Sequence, residues 1–148
     1  LATHSKQHAF IGNLMLYLAY GMNTNNNQMN PAAQRLGPAL LEGFAWEMLQ
    51  YANVYQSVND STIGILWEID DAVLYELDIR EGYPAFYNRI LVDVIHNKQI
   101  KSAWVYTMTP GSRDLLKEQT PSKYYFDCVV EGYACDNLTI PPHPRQCF

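Results

Sequence analysis

Residues 39–49 read ALLEGFAWEML, and the fold turns on whether they form a helix or a strand. Their apolar spacing suits an amphipathic helix. Gly43 argues mildly against one, because a glycine inside a helix costs about 0.5–1 kcal/mol relative to alanine. From this stretch alone both readings stay open, so its neighbours have to inform the choice.

Upstream, Leu14 to Tyr20 is short, apolar and aromatic and ends at Gly21, which predicts a buried strand. A polar loop follows, NTNNNQMN from Asn23 to Asn30. Asn30-Pro31 can start a helix, and Gly37-Pro38 would stop it soon after. Downstream, STIGILWEID (61–70) predicts a strand with Ile63, Ile65, Trp67 and Ile69 on one face. DDAVLYELDIREG (70–82) predicts a helix capped by Asp70 or Asp71, with Val73, Leu74 and Leu77 buried and Gly82 just past its end. YNRILVDVIH (87–96) and KSAWVYTM (101–108) read as two strands of a hairpin turning at Lys98-Gln99. Pro121-Ser122 opens a last helix with Ser122 as its cap, and PPHPRQCF (141–148) reads as extended. Residues 1–12 read as a flexible N-terminal arm and residues 13–148 as one domain. The order of elements predicts a mixed α+β domain with a curved or closed sheet.

Composition narrows the function. The chain has 148 residues, 48% hydrophobic and 17% charged, which suits one soluble globular domain. Its net charge is −5 and its ten Lys and Arg form no cluster, which argues against nucleic acid. No apolar run approaches the roughly 18 residues needed to span a bilayer, and the first residues lack a signal-peptide pattern. Cys128, Cys135 and Cys147 are odd in number and late in the chain, so they form no disulfide framework. A reducing, cytoplasmic location is expected. His4, His8, His96 and His143 are scattered without metal spacing, so no metal and no cofactor is expected.

Two features can carry chemistry. Glu81 falls at the end of the predicted helix, where the dipole presents negative charge and Lys or Arg is the usual choice. A carboxylate held there gains proton affinity, which suits a general base; the bland alternative is an exposed terminal glutamate. At the other feature, Tyr20-Gly21-Met22-Asn23, the glycine lets the backbone turn sharply so that successive N–H groups can converge on an anion. The bland alternative is a strand end followed by a solvated loop.

Together these pieces resemble the γ-glutamyl cyclotransferases, including their AIG2-like relatives. The family's Tyr-Gly-Ser-Asn stands here as Tyr20-Gly21-Met22-Asn23, with methionine in place of serine. Its Leu-Asp-x-x-Glu-Gly block stands as Leu77 to Gly82, followed by Tyr87-Asn88-Arg89, a strand bearing Tyr106, and Pro121-Ser122 with Tyr125. The resemblance covers roughly residues 14–135. It implies a small mixed-strand β-barrel with flanking helices around a cavity, and therefore that residues 39–49 are strand. It implies that Glu81 is the catalytic acid/base. It further implies that Tyr20, Gly21, Met22 and Asn23 hold a γ-glutamyl group, and that Tyr87, Tyr106 and Tyr125 line the cavity. The implied reaction converts a γ-glutamyl amine or amino acid to 5-oxoproline and the free amine, with no metal or cofactor. The alternative is a non-catalytic protein that binds a small ligand in the same cavity. The sequence leaves the oligomeric state and the departing amine open.

Overall fold

The computed structural model describes residues 13–142. The expected arm at 1–12, residues 143–148 of the expected tail, His4, His8, His143 and Cys147 lie outside the described residues. Five strands, β1 (Met15–Ala19), β2 (Gln34–Met48), β3 (Ala52–Ile69), β4 (Tyr87–His96) and β5 (Gln99–Met108), close into a barrel in the order β1-β3-β2-β4-β5. The β1–β5 seam is parallel, with Tyr17 opposite Trp104, and the other pairings are antiparallel. Three helices flank the barrel among the described residues: α1 (Asp71–Glu81), α2 (Pro110–Leu116) and α3 (Lys123–Ala134). The architecture is thus α+β, a small mixed-strand barrel with flanking helices.

Residues 39–48 are strand, with Leu49 in the bend that follows, and their helical look has a physical origin. The ladder between β2 and β3 slips at two places, Arg35/Gly37 and Glu42/Phe44, where Gly37 and Gly43 adopt φ of +107° and +82°. Each bulge inserts one residue and flips the parity of the side chains. Leu36 packs on one cluster of the core before the first bulge, Ala39 and Leu41 after it, and Phe44, Trp46 and Met48 after the second. The break in alternation at Gly43 imitates a helical period. It also corrects the expectation of a helix start at Asn30-Pro31 stopped by Gly37-Pro38: Pro31 lies in a turn and β2 runs through Gly37-Pro38.

Alternation along the strands sends side chains to two buried clusters. Leu18, Trp46, Leu66, Val94 and Val105 pack with Val129 and Tyr133 of α3. On the opposite face Tyr17, Ile65, Trp67, Ile69 and Tyr106 pack with Val73 and Leu77 of α1. Of the four residues expected on one face of β3, Ile65, Trp67 and Ile69 are buried, while Ile63 is partly exposed.

Helix boundaries follow local chemistry. The Asp70 carboxylate accepts from the Val73 N–H at 2.9 Å, a cap typically worth about 1 kcal/mol. At the other end Gly82 is left-handed (φ 66°), and the N–H groups of Gly82 and Tyr83 donate to the carbonyls of Ile79 and Asp78, the Schellman closure. Ser122 Oγ likewise accepts from the Tyr125 N–H at 3.1 Å. The β4–β5 hairpin turns one residue earlier than expected, at Asn97-Lys98, whose φ of 49° and 66° give the primed turn that matches strand twist. Helix α2, not expected from the sequence, starts at Pro110 behind the capping residue Thr109.

Candidate active site

The end of α1, the turn after β1 and the first turn of α3 surround a cavity of about 370 Å3, within the usual size range of small-molecule sites. Every site residue expected from the sequence lines it: Glu81 on α1; Tyr20, Gly21, Met22 and Asn23 on the turn; and Tyr87, Tyr106 and Tyr125 on β4, β5 and α3. The sequence reading missed other lining residues, chiefly Tyr17, Tyr51 and Phe86. Tyr17 could have been found, since it shares the opening strand with Tyr20.

Glu81 is the last residue of α1 and half-buried at the cavity. Burial pushes its carboxyl up from an ordinary 4.5 to about 7, against the opposing charge of Arg80. Desolvation is thus the leading cause, with the helix dipole acting in the same sense. The neighbouring Arg80 does not pair with it; its guanidinium donates to the Gln28 carbonyl at 2.8 Å. Among the described residues no hydrogen bond or ion pair reaches the Glu81 carboxylate.

The tyrosines around it stay neutral. Burial raises Tyr17, Tyr20, Tyr87, Tyr106 and Tyr125 beyond the usual phenol range, and the charge of Glu81 adds to the effect on each. Several of their hydroxyls serve the fold. Tyr20 donates to the Tyr106 carbonyl at 2.6 Å, Tyr87 to the Ala52 carbonyl at 2.7 Å, and Tyr106 to Asp78 at 2.7 Å. Asp78 also accepts from Arg89 at 2.8 and 3.2 Å. One carboxylate one turn before Glu81 therefore ties α1 to β4 and β5, and holds the helix end against the barrel. Asp78 and Arg89 both stood in the recognised sequence blocks, but nothing in the sequence alone revealed that they pair. The Tyr125 hydroxyl differs: it accepts from the Ala52 N–H at 3.0 Å, and the Met22 N–H also acts on it.

The turn is a tight 3₁₀ segment, Met22–Thr24, closed by Thr24 N–H to the Gly21 carbonyl at 3.1 Å and Asn25 N–H to the Met22 carbonyl at 3.0 Å. The first N–H groups of such a turn have no partner within it. Gly21 is needed for space rather than for a left-handed backbone: its φ is −130°, but a Cβ there would stand 2.9 Å from the Tyr125 hydroxyl and 3.2 Å from the Ala52 Cβ. The asparagines do more than solvate a loop. Asn23 donates to the Tyr17 hydroxyl at 3.0 Å, and its Oδ1 is buried with no partner among the described residues. Asn25 donates to the Cys128 carbonyl of α3 at 3.0 Å. Arg35 on β2 donates to the Thr24 carbonyl at 2.6 Å and pairs with Asp136. Gly132 on α3 lets the helix lie directly on this turn, since a Cβ there would stand 2.7 Å from the Asn25 nitrogen.

Among the described residues, no cluster of three or more His, Cys, Asp or Glu is placed to hold a metal ion, and no helix is long and apolar enough to cross a membrane. Cys128 and Cys135 are free thiols, the former buried and the latter exposed.

Fold and site define a small closed-barrel protein whose cavity presents a desolvated, unpaired carboxylate opposite a backbone turn, in a pocket sized for a small molecule. The model of the family "Gamma-glutamyl cyclotransferase, AIG2-like" matches residues 17–127, and the chain belongs to that family. Solved structures with the same fold include a γ-glutamyl cyclotransferase (TM-score 0.71, 24% identity, 85% of this chain and 82% of that one). A human protein described as uncharacterised is similar at TM-score 0.72 and 24% identity, over 84% and 81% of the two chains. A yeast γ-glutamyl cyclotransferase specific to glutathione is similar at TM-score 0.59 and 16% identity, over 86% and 90%. No curated protein matches the chain.

Proposed function

We propose that the protein converts a γ-glutamyl amine or γ-glutamyl amino acid to 5-oxoproline and the free amine. The observation that carries this reading is the Glu81 carboxyl, unpaired at the cavity and titrating at about 7. The substrate's α-amine is mostly protonated at neutral pH, with a pKa near 8. Glu81 takes a proton from that nitrogen. The nitrogen attacks the γ-carbonyl carbon, a new C–N bond closes the five-membered ring, and charge develops on the carbonyl oxygen. The γ-amide C–N bond then breaks as Glu81 returns its proton to the departing nitrogen, and the attacking nitrogen gives up its second proton, which leaves with the departing amine as its ammonium form. A base whose pKa lies near the working pH serves both transfers.

The Asn23 N–H can hold the γ-glutamyl end and steady the oxyanion directly, while the Met22 N–H, which acts on the Tyr125 hydroxyl, contributes through that hydroxyl. Tyr125, fixed by the Ala52 N–H, keeps its own proton free to donate into the same space. Tyr87 and Tyr106 shape the wall, with their hydroxyls turned to other acceptors. Because both reacting groups belong to one molecule, holding it folded can supply about 7–11 kcal/mol in favourable systems. The free thiols of Cys128 and Cys135 support a reducing location such as the cytoplasm.

The test is incubation with a panel of γ-glutamyl amines and amino acids, scored for 5-oxoproline, for wild type and Glu81→Gln. We expect release by the wild type and at least a roughly hundredfold loss in the variant, the usual size of a general-base contribution. Release that survives in Glu81→Gln sinks the mechanism. Binding without release in the wild type makes the protein a ligand-binding relative instead.

A further inference from the structure

Aromatic rings line the cavity both at its buried tyrosines and at its more exposed edge. Tyr51 in the β2–β3 turn, Phe86 in the α1–β4 loop and Tyr125 at the start of α3 bring three rings together from three distant segments. Tyr51 meets Tyr125 edge-on at 5.4 Å between centroids and Phe86 at 6.4 Å. Phe86 in turn meets Tyr87 at 5.3 Å. Ile79, in the last turn of α1, lines the same cavity with an aliphatic side chain that is 63% exposed. Tyr51 is itself 39% exposed. Large apolar side chains left partly open around a cavity mark a surface waiting for an apolar partner. The one cation beside them among the lining residues is Arg80.

We propose that this exposed edge is the subsite for the departing group, and that it selects γ-glutamyl conjugates whose departing amine carries an aromatic ring. The inference rests on the proposed reaction. The glutamyl part is small, polar and constant, so it belongs beside Glu81 and the turn. What is attached to the γ-carbonyl must then extend outward between Tyr51, Phe86 and Ile79. Edge-on contacts such as those already present among the three rings favour a further ring over a short or charged chain. Arg80 can meet the carboxylate of an aromatic amino acid, whereas an aromatic amine without a carboxylate uses the rings alone.

The experiment compares γ-glutamylglycine, γ-glutamylethylamine, γ-glutamylphenylalanine and γ-glutamylphenethylamine in wild type and in Tyr51→Ala and Phe86→Leu. It reads kcat/KM for 5-oxoproline release and, separately, Kd by calorimetry with the Glu81→Gln protein, which separates binding from turnover. The aromatic conjugates should exceed their small counterparts about tenfold or more in wild type, and either substitution should bring that ratio most of the way to unity. The ratio within one variant is insensitive to a general loss of folded protein. A preference for the phenylalanine conjugate over the phenethylamine conjugate that disappears in Arg80→Ala assigns the departing group to amino acids; equal rates assign it to amines. Equal turnover of glycine and phenylalanine conjugates by wild type overturns the subsite and leaves the reaction standing. Tenfold tighter binding of the aromatic conjugates without release supports the subsite and overturns the reaction. Absence of both binding and release overturns both.

Discussion

Replacing Glu81 by glutamine should abolish turnover and, at the same time, make the protein more stable at alkaline pH. The folded-state carboxyl titrates at about 7 and its ordinary value is 4.5. The folded protein therefore holds this proton more tightly than the unfolded chain does. Stability from this group is fully present below about pH 4.5, falls as pH rises, and is lost once pH passes about 7. At about 1.4 kcal/mol per pH unit, the folded state at about pH 8 carries a cost of roughly 3 kcal/mol for ionising this buried carboxyl. At about pH 5 most of that cost is absent, roughly 1 kcal/mol remaining.

Glutamine keeps the shape and never ionises. It should leave stability near the wild-type value at about pH 5 and raise it by roughly 3 kcal/mol at about pH 8, on the order of 10 °C in Tm for a chain of this size. Urea or thermal unfolding of both proteins at the two pH values, at one ionic strength, measures it. A glutamine amide that found no partner in the cavity would cost the same at both pH values, so the change in the gap isolates ionisation. A gap that does not widen between about pH 5 and about pH 8 refutes the claim that the carboxyl is desolvated when folded. The same group should govern rate: kcat/KM should rise through about pH 7 as the base loses its proton.

Three further outcomes are expected. Gly21→Val places a branched side chain where a bare Cβ already stands 2.9 Å from the Tyr125 hydroxyl and 3.2 Å from the Ala52 Cβ; it should destroy activity and destabilise by about 1–3 kcal/mol, checked by kinetics and urea melts. Met22→Ser keeps the backbone N–H and should change kcat/KM by less than about tenfold; a larger gain, the sign of a lost charge-assisted hydrogen bond worth about 1.5–3 kcal/mol, would show that the hydroxyl matters. Asp78→Asn leaves Arg89 without its ion pair and weakens the Tyr106 hydroxyl bond, so it should cost about 2–4 kcal/mol. As Asp78 only positions the helix end, its variant should also move the pH midpoint of kcat/KM, which a purely structural role would leave in place.

How legible was this in the sequence? Helix α1 was readable almost to the residue, because its two ends carry local chemistry: an aspartate cap and a left-handed glycine. Residues 39–49 were not, because a bulge at Gly43 changes which parity faces the core, and a window that assumes one parity sees a helix. The hairpin turn was misplaced by one residue, since Asn97-Lys98 lacks the glycine that advertises a primed turn. Helix α2 hid behind Gly111 and Ser112, poor helix formers, although Thr109-Pro110 is a good start signal. For the site, the recognised blocks named Glu81, the turn and three of the tyrosines. Tyr51 and Phe86 escaped because neither belongs to a block, and only the closed barrel brings them to Tyr125.

The position of Glu81 now has a physical explanation beyond the helix dipole. A carboxylate at the open end of a helix would normally turn to water and keep an ordinary proton affinity. Here the closure at Gly82 sends the chain sharply back, and a Cβ at Gly82 would lie only 3.1 Å from the Phe86 Cβ. Phe86 and Tyr87 follow over the cavity, while Asp78, one turn earlier, is pinned to Arg89 and Tyr106. The helix end is thus held from two sides, with the half-buried carboxylate facing a cavity lined by phenols that are themselves too deeply buried to ionise. None of those rings supplies a positive charge, and Arg80, the nearest cation, directs a guanidinium nitrogen to Gln28. A buried carboxylate denied an ion pair must raise its proton affinity. The geometry that makes this helix end unfavourable for stability at alkaline pH is therefore the same geometry that leaves a carboxyl titrating near neutrality in the cavity that the turn also lines, which is what the proposed base requires.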